Sequence, residues 1–349
     1  MATSTSFHQN HELFTEQAYK NNNLLPDRYV FVLTNQCNLR CEFCFQEKAK
    51  ISTNLTTQEW LNFVDEIPDY ARITFTGGEP FMFEGFEEIF KKVASKHTCN
   101  VISNGLLLSD KIIDLLLSYE NFKVLSISLE DKYNKTRDVR LKKWQEAEIQ
   151  IKKFTKLKKE RNLETLLDIK TVVLDENANS LYEMYKYAKE ELGCDTHSFQ
   201  FLKGSPLQHS DKMYALDTIY VPNLAYEYKN FDIIKKELEK IAKENPPSVF
   251  VHPKFIELKE DEDFSKLDII NNPILKKEYF QACKFPWSSV HINYDGSLYP
   301  CMSISMGNIK NLSLKNIIFG KDFTNFKNII KKEELVNGCN RCGWLRLKK

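Results

Sequence analysis

The stretch Cys37-Asn38-Leu39-Arg40-Cys41-Glu42-Phe43-Cys44 decides how the rest of the chain is read. It sets three cysteines at C-x3-C-x2-C spacing. The run Tyr29-Val30-Phe31-Val32-Leu33-Thr34 ahead of it reads as a buried strand, so the cysteines occupy a loop leaving a strand end. Short spacings let successive sulfurs converge on one side of a cubane iron–sulfur cluster without long loop closure. Three thiolates leave one of the four irons open to an exogenous molecule. Two other readings stand beside this one. A zinc site wants a fourth Cys or His close by, and the nearest histidines in sequence are His8, His11 and His97. Part of a disulfide framework is the third reading.

A second strand, Ile73-Thr74-Phe75-Thr76, runs into Gly77-Gly78-Glu79-Pro80. Alone, that tetrapeptide is an ordinary turn, though its glycines let the backbone approach a ligand closely. The three-cysteine loop, Phe43 just before its third cysteine, and the Gly-Gly-Glu-Pro turn together resemble the radical S-adenosylmethionine (SAM) superfamily. The resemblance spans about Tyr29 to Trp344. It implies a [4Fe–4S] cluster on Cys37, Cys41 and Cys44, with SAM bound to the open iron through its amine and carboxylate. Reductive cleavage of SAM then gives a 5′-deoxyadenosyl radical that abstracts hydrogen from the substrate. An external one-electron reductant such as flavodoxin or ferredoxin is implied as a partner.

The same resemblance assigns SAM contacts. Gly77 and Gly78 offer backbone groups to the SAM amino group, with Glu79 assisting, and Phe43 lies beside the cofactor. Asn104, in Ser103-Asn104-Gly105 where the family often has Thr-Asn-Gly, faces the cofactor. The family's Ser-x-Asp-Gly, followed by an arginine about ten residues on, corresponds here to Ser128-Leu129-Glu130-Asp131 with Arg137 and Arg140. Ser128 carries over, and Arg140 is taken as the partner of the SAM carboxylate; Asp131 in place of Gly is a departure. Leu202 lies on the edge that contacts adenine, and Gln200 and His209 are candidates for touching substrate. Lys170, in the fifth strand, is a candidate to face the barrel lumen.

Strands are expected at 29–34, 72–76, 99–103, 124–129, 167–173 and 198–202, with helices at 57–67, 84–96, 109–118, 143–161 and 179–192. Strands alternating with amphipathic helices specify a parallel α/β sheet with right-handed crossovers. Six units match the partial (β/α)6 TIM-like barrel of the superfamily, with its chemistry at the C-terminal strand ends. The expected domains are a lead-in at 1–27, the barrel at 28–225, a helical linker or cap at 226–282 with helical signals at 230–244 and 273–281, and a small C-terminal domain at 283–349. The lead-in is too short for a peptide-recognition domain. With 49 Lys and Arg against 48 Asp and Glu, no global field favours nucleic acid or an anionic membrane. No apolar run reaches membrane-spanning length, and residues 1–23 lack a signal-peptide core. A cytoplasmic protein is expected, in which nine cysteines serve metals better than disulfides.

Cys283, Cys301, Cys339 and Cys342 form the second constellation. Two alternating runs flank Asp295-Gly296, the strongest short hairpin signal, and the hairpin draws the first two cysteines together. A four-cysteine zinc knuckle fits this pattern. It also resembles the twitch domain, the short form of the SPASM domain, which holds one additional [4Fe–4S] cluster. Full ligation makes such a cluster an electron conduit. The layout, with 17 residues between Cys283 and Cys301 and a closing C-x2-C, resembles aminocyclitol dehydrogenases. The leading expectation is an oxidoreductase of a small polar molecule such as a sugar or cyclitol. The alternatives are a maturase that crosslinks or epimerises a ribosomally made peptide, and a non-catalytic metal-binding or electron-transfer protein. Cys99 reads as a core residue, and Cys194, before the sixth strand, as a candidate hydrogen donor near the barrel mouth.

Overall fold

Short runs rich in β-branched and aromatic residues supply the strands. They are β1 (Arg28–Val32), β2 (Arg72–Thr76), β3 (Cys99–Ser103), β4 (Phe122–Ser128), β5 (Leu166–Val173), β6 (Thr196–Phe201), β7 (Val249–His252), β8 (Ser289–Ile292) and β9 (Leu298–Tyr299). In the computed structural model, which describes residues 4–44, 54–202, 227–272, 275–301 and 304–348, they form one nine-stranded sheet in the order β7-β6-β5-β4-β3-β2-β1-β8-β9. Every neighbouring pair is parallel except the hairpin β8–β9. The helices are α1 (Ser4–Lys20), α2 (Thr57–Glu66), α3 (Phe86–Ala94), α4 (Asp110–Leu117), α5 (Leu141–Glu160), α6 (Leu181–Lys186), α7 (Phe231–Ala242), α8 (Leu314–Ile318) and α9 (Lys321–Glu333). A capping box starts α2: Thr56 Oγ1 accepts from the Glu59 N–H, and the Glu59 carboxylate accepts from the Thr56 N–H.

Alternation along the strands separates two faces. Phe31, Phe75, Leu125, Ile127, Leu167 and Ile169 are fully buried in one cluster with Trp60, Phe63, Phe90, Ile113 and Phe154 of the helices. Their neighbours on the other face are polar. Thr74 donates to Asn100 (2.9 Å), and Ser126 (2.9 Å) and Thr196 (2.7 Å) donate to the buried Asp168 carboxylate. The barrel interior is therefore a hydrogen-bonding surface, and the hydrophobic core lies outside it, under the helices.

The six expected strands and the helices between them are present; β2 and β3 keep their expected bounds, and the other strands and α2 to α5 shift by at most two residues at either end. The helix expected at 179–192 is α6 followed by a π-helical turn, Tyr187–Glu191. Two features differ. Residues 249–252, expected only as part of a helical linker, add β7 beside β6, because Val249-Phe250-Val251 after Pro246-Pro247 is a short β-prone run. The helical signal at 273–281 yields one 3-10 turn, Lys277–Tyr279, among the described residues. The hairpin around Asp295-Gly296 is present, and its first strand pairs with β1, so the C-terminal segment continues the barrel sheet. Among the described residues no helix is long and apolar enough to cross a membrane.

Trp60 fills the space between α2 and β1, its ring 4.8 Å from that of Phe31. Trp60→Ala is expected to cost about 3–5 kcal/mol, the range for truncating a buried aromatic, read as a lower urea midpoint of the apo chain; an unchanged midpoint would contradict this packing.

Candidate active site

The chain leaves β1 at Val32 and turns outward over the C-terminal edge of the sheet, carrying Cys37 and Cys41, the first half-buried and the second buried, and the exposed Cys44. The Leu39 N–H donates to Cys37 Sγ (3.4 Å), and the Cys44 N–H donates to the Cys41 carbonyl (3.2 Å), which curls the loop back on itself. All nine cysteines are free thiols. Burial pushes the Cys37 thiol up, and Glu79, Cys44 and Cys41 add to the effect. Burial likewise raises Cys41, with Arg137 opposing it and Cys44 adding to it. The three sulfurs thus lie within electrostatic reach of one another. Among the described residues no three His, Cys, Asp or Glu side chains converge on a single metal ion.

Gly77 and Gly78 bring the end of β2 into contact with the root of this loop. The Gly78 N–H donates to the Thr34 carbonyl (2.6 Å), and the Glu79 N–H donates to the Gln36 carbonyl (2.8 Å). A Cβ at Gly78 would lie 2.1 Å from the Gln36 oxygen, and one at Gly77 2.8 Å from the Thr34 oxygen. No side chain fits there, so the glycines are required by backbone packing. Glu79 is fully buried, and its carboxylate accepts from Ser103 Oγ (2.8 Å), the Asn104 N–H (2.8 Å) and the Phe81 N–H (3.3 Å). These three bonds tie the β2 end to the β3 end and leave one acceptor position of the carboxylate unused. Burial pushes the Glu79 carboxyl up to about 7, against the pull of those donors. Asn104 continues the linkage, donating to Asn38 Oδ1 (2.8 Å), with Cys37 Sγ at 3.8 Å.

Of the two arginines after Glu130, Arg137 is the one that lies beside the cysteine loop. Its Nη2 donates to Glu130 Oε1 (2.9 Å) and its Nε to Glu130 Oε2. Its Nη1 lies 3.8 Å from Cys41 Sγ, and its guanidinium sits 5.3 Å from the Phe43 ring centroid. Burial works against the guanidinium charge, and the fully buried Glu130 more than restores it. Arg140 instead precedes α5 as an exposed cap residue. Asp131, the departure from the family glycine, builds the intervening loop by accepting from the N–H groups of Tyr133 (3.0 Å), Lys135 (3.0 Å) and Thr136 (2.7 Å). What fixes Arg137 beside the loop is a buried carboxylate seven residues back, and sequence alone does not show burial.

Ser128 ends β4, in register with Lys170 of β5, which in turn faces Ser198 of β6. Lys170 Nζ is 3.0 Å from Asp168 Oδ2 and its side chain is 38% exposed, so one cation stands on the polar inner face. The Leu202 N–H donates to Tyr228 Oη (2.7 Å) at the end of β6. Gln200 Nε2 donates to the carbonyls of Phe201 (3.0 Å) and His252 (3.3 Å). Its Oε1 lies 3.2 Å from where a Cβ on Gly343 would be, which puts the β6 end beside the closing C-x2-C. Cys194 is corrected in place: it precedes β6, at the opposite edge of the sheet from the cysteine loop, bonded through its N–H to the Ala188 carbonyl (3.0 Å). Burial pushes its thiol up to about 12. Cys99 is a buried strand residue, as expected. His209 lies outside the described residues.

At the second constellation, the Cys283 N–H donates to the Glu334 carbonyl (3.0 Å), and the Cys339 carbonyl accepts from the Cys342 N–H (2.9 Å). Burial raises the Cys283 thiol strongly, and Cys339, Cys342 and Cys301 each add to it, so the other three thiols lie within electrostatic reach of Cys283. Both constellations are all-thiol donor sets without a disulfide, which fits iron–sulfur clusters.

The sequence pattern of the Radical SAM superfamily matches residues 31–188, and that of the SPASM iron–sulfur cluster-binding domain matches residues 283–343. The chain therefore carries a radical SAM domain and a C-terminal SPASM-type domain, and domains of these two families bind SAM, a [4Fe–4S] cluster and further iron–sulfur centres. The sporulation killing factor maturation protein SkfB of Bacillus subtilis is 36% identical over 104 residues, 29% of this chain and 25% of that protein. The chain spans between a quarter and two fifths of the first curated relatives it matches. The tungsten-containing aldehyde ferredoxin oxidoreductase cofactor-modifying protein of Pyrococcus furiosus is 25% identical over 90% of this chain and 87% of its own. The fold is shared with Streptococcus suis SuiB bound to precursor peptide SuiA, with TM-score 0.62 and 15% identity over 96% of this chain and 74% of that one.

Two outcomes follow from this geometry. Gly78→Ala should force the β2 end away from the Gln36 carbonyl, costing about 1–3 kcal/mol as overpacking does; it should also lower iron at the first cysteine set, and full iron with an unshifted melting temperature would contradict the contact. Glu79 holds its proton more tightly folded than unfolded, so stability of the apo chain should fall as pH rises from about 4.5 to about 7 and then level. In Glu79→Gln that part of the slope should vanish from urea midpoints; a slope like that of the parent chain would contradict it.

Proposed function

We propose that this chain is a radical SAM oxidoreductase in which Cys37, Cys41 and Cys44 hold the SAM-binding cluster and Cys283, Cys301, Cys339 and Cys342 hold a second [4Fe–4S] cluster. When bound, these groups supply reductive cleavage of SAM, hydrogen abstraction from substrate, and a fully ligated one-electron acceptor. The observation that carries the reading is that the segment with the second cysteine set, matched by the SPASM pattern, joins the barrel sheet through β8, which pairs with β1, the strand that launches the first cysteine loop.

The chain's own residues do the positioning. Gly77 and Gly78 seat the cysteine loop on the sheet edge, and Asn104 holds it through Asn38. Arg137, fixed by Glu130, sets a positive charge beside Cys41, where a carboxylate of the cofactor would be neutralised. Phe43, Ser128 and Leu202 complete the SAM surface in this reading. The Asp168–Lys170 pair, with Ser128 and Ser198 in the same register row, offers donors and acceptors to a small polar substrate such as a sugar or cyclitol. A cytoplasmic setting and a flavodoxin- or ferredoxin-type reductant belong to the same reading.

Maturation of a ribosomally made peptide, by crosslinking or epimerisation, is the second reading. It is favoured by the similarity to SkfB, a maturation protein, and by the fold shared with SuiB, which binds a precursor peptide.

Anaerobic reconstitution should give about eight irons per chain, as two cubanes require, and dithionite with SAM should release 5′-deoxyadenosine. Cys41→Ala should abolish that release. Cys342→Ala should halve the iron, keep slow release and end product formation; full turnover in Cys342→Ala would contradict the conduit.

A further inference from the structure

The chain is nearly neutral, but its charge is partitioned. Residues 283–349 hold eleven Lys and Arg against four Asp and Glu, whereas residues 1–282 hold 38 against 44. The C-terminal segment is therefore a basic body joined to a mildly acidic one, and a field of that sign draws acidic partners to that end of the molecule.

Several cations of the C-terminal segment are grouped around aromatic rings. Lys284 follows Cys283, and the bond from the Cys283 N–H to the Glu334 carbonyl brings the end of α9 alongside. Lys331 Nζ lies 5.3 Å from the Tyr19 ring and 5.6 Å from the Trp287 ring. Lys284 Nζ lies 5.2 Å from Tyr19, and Lys327 Nζ lies 4.7 Å from Phe323. Glu16 neutralises Lys284 (2.7 Å), while Lys327 and Lys331 have no acidic partner among the described residues. Beside them, Phe285 stacks on Trp344 at 4.1 Å between centroids and 28° between planes. Phe285 is two residues after Cys283, and Trp344 is two residues after Cys342. Both rings are half-buried, so a stacked aromatic pair leads from two of the four thiol-bearing turns to the protein surface.

We propose that this surface, Lys284, Lys331, Phe285 and Trp344 over the second cysteine set, is the docking face for an acidic one-electron carrier protein of the flavodoxin or ferredoxin class. The inference rests on the proposed function, which places a cluster on those cysteines. One electron leaves the reduced cluster and one arrives on the oxidised carrier; no bond forms or breaks. An acidic peptide segment is the rival occupant. The carrier is favoured because Lys284 adjoins Phe285 of the aromatic pair next to the thiols and Lys331 shares the Tyr19 ring with Lys284, whereas a substrate has to reach the barrel mouth.

The test uses the reconstituted protein and oxidised flavodoxin as the probe. Anaerobic calorimetry should show an affinity that weakens as salt rises. The pair Lys331→Glu with Lys284→Gln should weaken it at least about tenfold. Lys156→Glu with Lys159→Glu, on exposed positions of α5, should change it less than about twofold. Stopped-flow reoxidation of the reduced protein by flavodoxin should slow with the first pair, while reoxidation by a small neutral quinone stays constant. Equal losses from both pairs, or no loss from the first, would overturn the docking face. So would an acidic peptide that binds through Lys331 when flavodoxin does not. A reconstituted chain carrying only four irons would instead overturn the proposed function, so the two failures are distinguishable.

Discussion

The site depends on one close approach: the Gly77-Gly78 backbone lying directly on Thr34 and Gln36. Two hydrogen bonds, from the Gly78 and Glu79 N–H groups, hold the root of the cysteine loop to the end of the neighbouring strand. The space between them does not admit a methyl group. Glu79 then reaches to Ser103 and Asn104, and Asn104 reaches back to Asn38 inside the loop. Three strand ends are closed into a ring of short contacts that involves no metal. Cys37 and Cys41 are thereby placed over the sheet edge by protein packing. A site preorganised in this way limits the ordering cost of binding its cofactor.

Around that ring the electrostatics are set by buried pairs. Arg137 would be a costly buried cation without Glu130, and Glu130 a costly buried anion without Arg137. Together they bring a positive charge to Cys41 and leave the neighbourhood close to neutral. Inside the barrel, Asp168 plays a similar part, accepting hydrogen bonds from Ser126 and Thr196 and standing beside Lys170. Polar groups thus line the interior while the apolar residues of the same strands face the helices, so substrate chemistry and stability occupy opposite faces of one sheet.

Much of this was legible in the sequence. The strand–helix alternation from β1 to β6, the Asp-Gly hairpin and both cysteine sets were read from spacing and periodicity, because those signals are local. What was missed depended on burial or on direction across the fold. Arg137 and Arg140 are equivalent in sequence, and only the buried carboxylate of Glu130 distinguishes them. Cys194 precedes a strand, and in a parallel sheet that puts it at the edge away from the chemistry, a consequence the sequence reading did not draw. β7 is four residues long and follows a proline pair, too short a run to stand out from a linker. The pairing of β8 with β1, which joins the C-terminal segment to the barrel, is a long-range contact without a local signature.

The central claim is that the three-cysteine loop leaves one iron open and that SAM occupies it. Electron–nuclear double resonance on the reduced, reconstituted protein with SAM labelled with 15N at the methionyl amine tests this directly. The account predicts a hyperfine coupling from the labelled nitrogen to the cluster, lost in Cys41→Ala and kept in Cys342→Ala. No coupling in the parent chain, or a coupling that disappears only in Cys342→Ala, would contradict it.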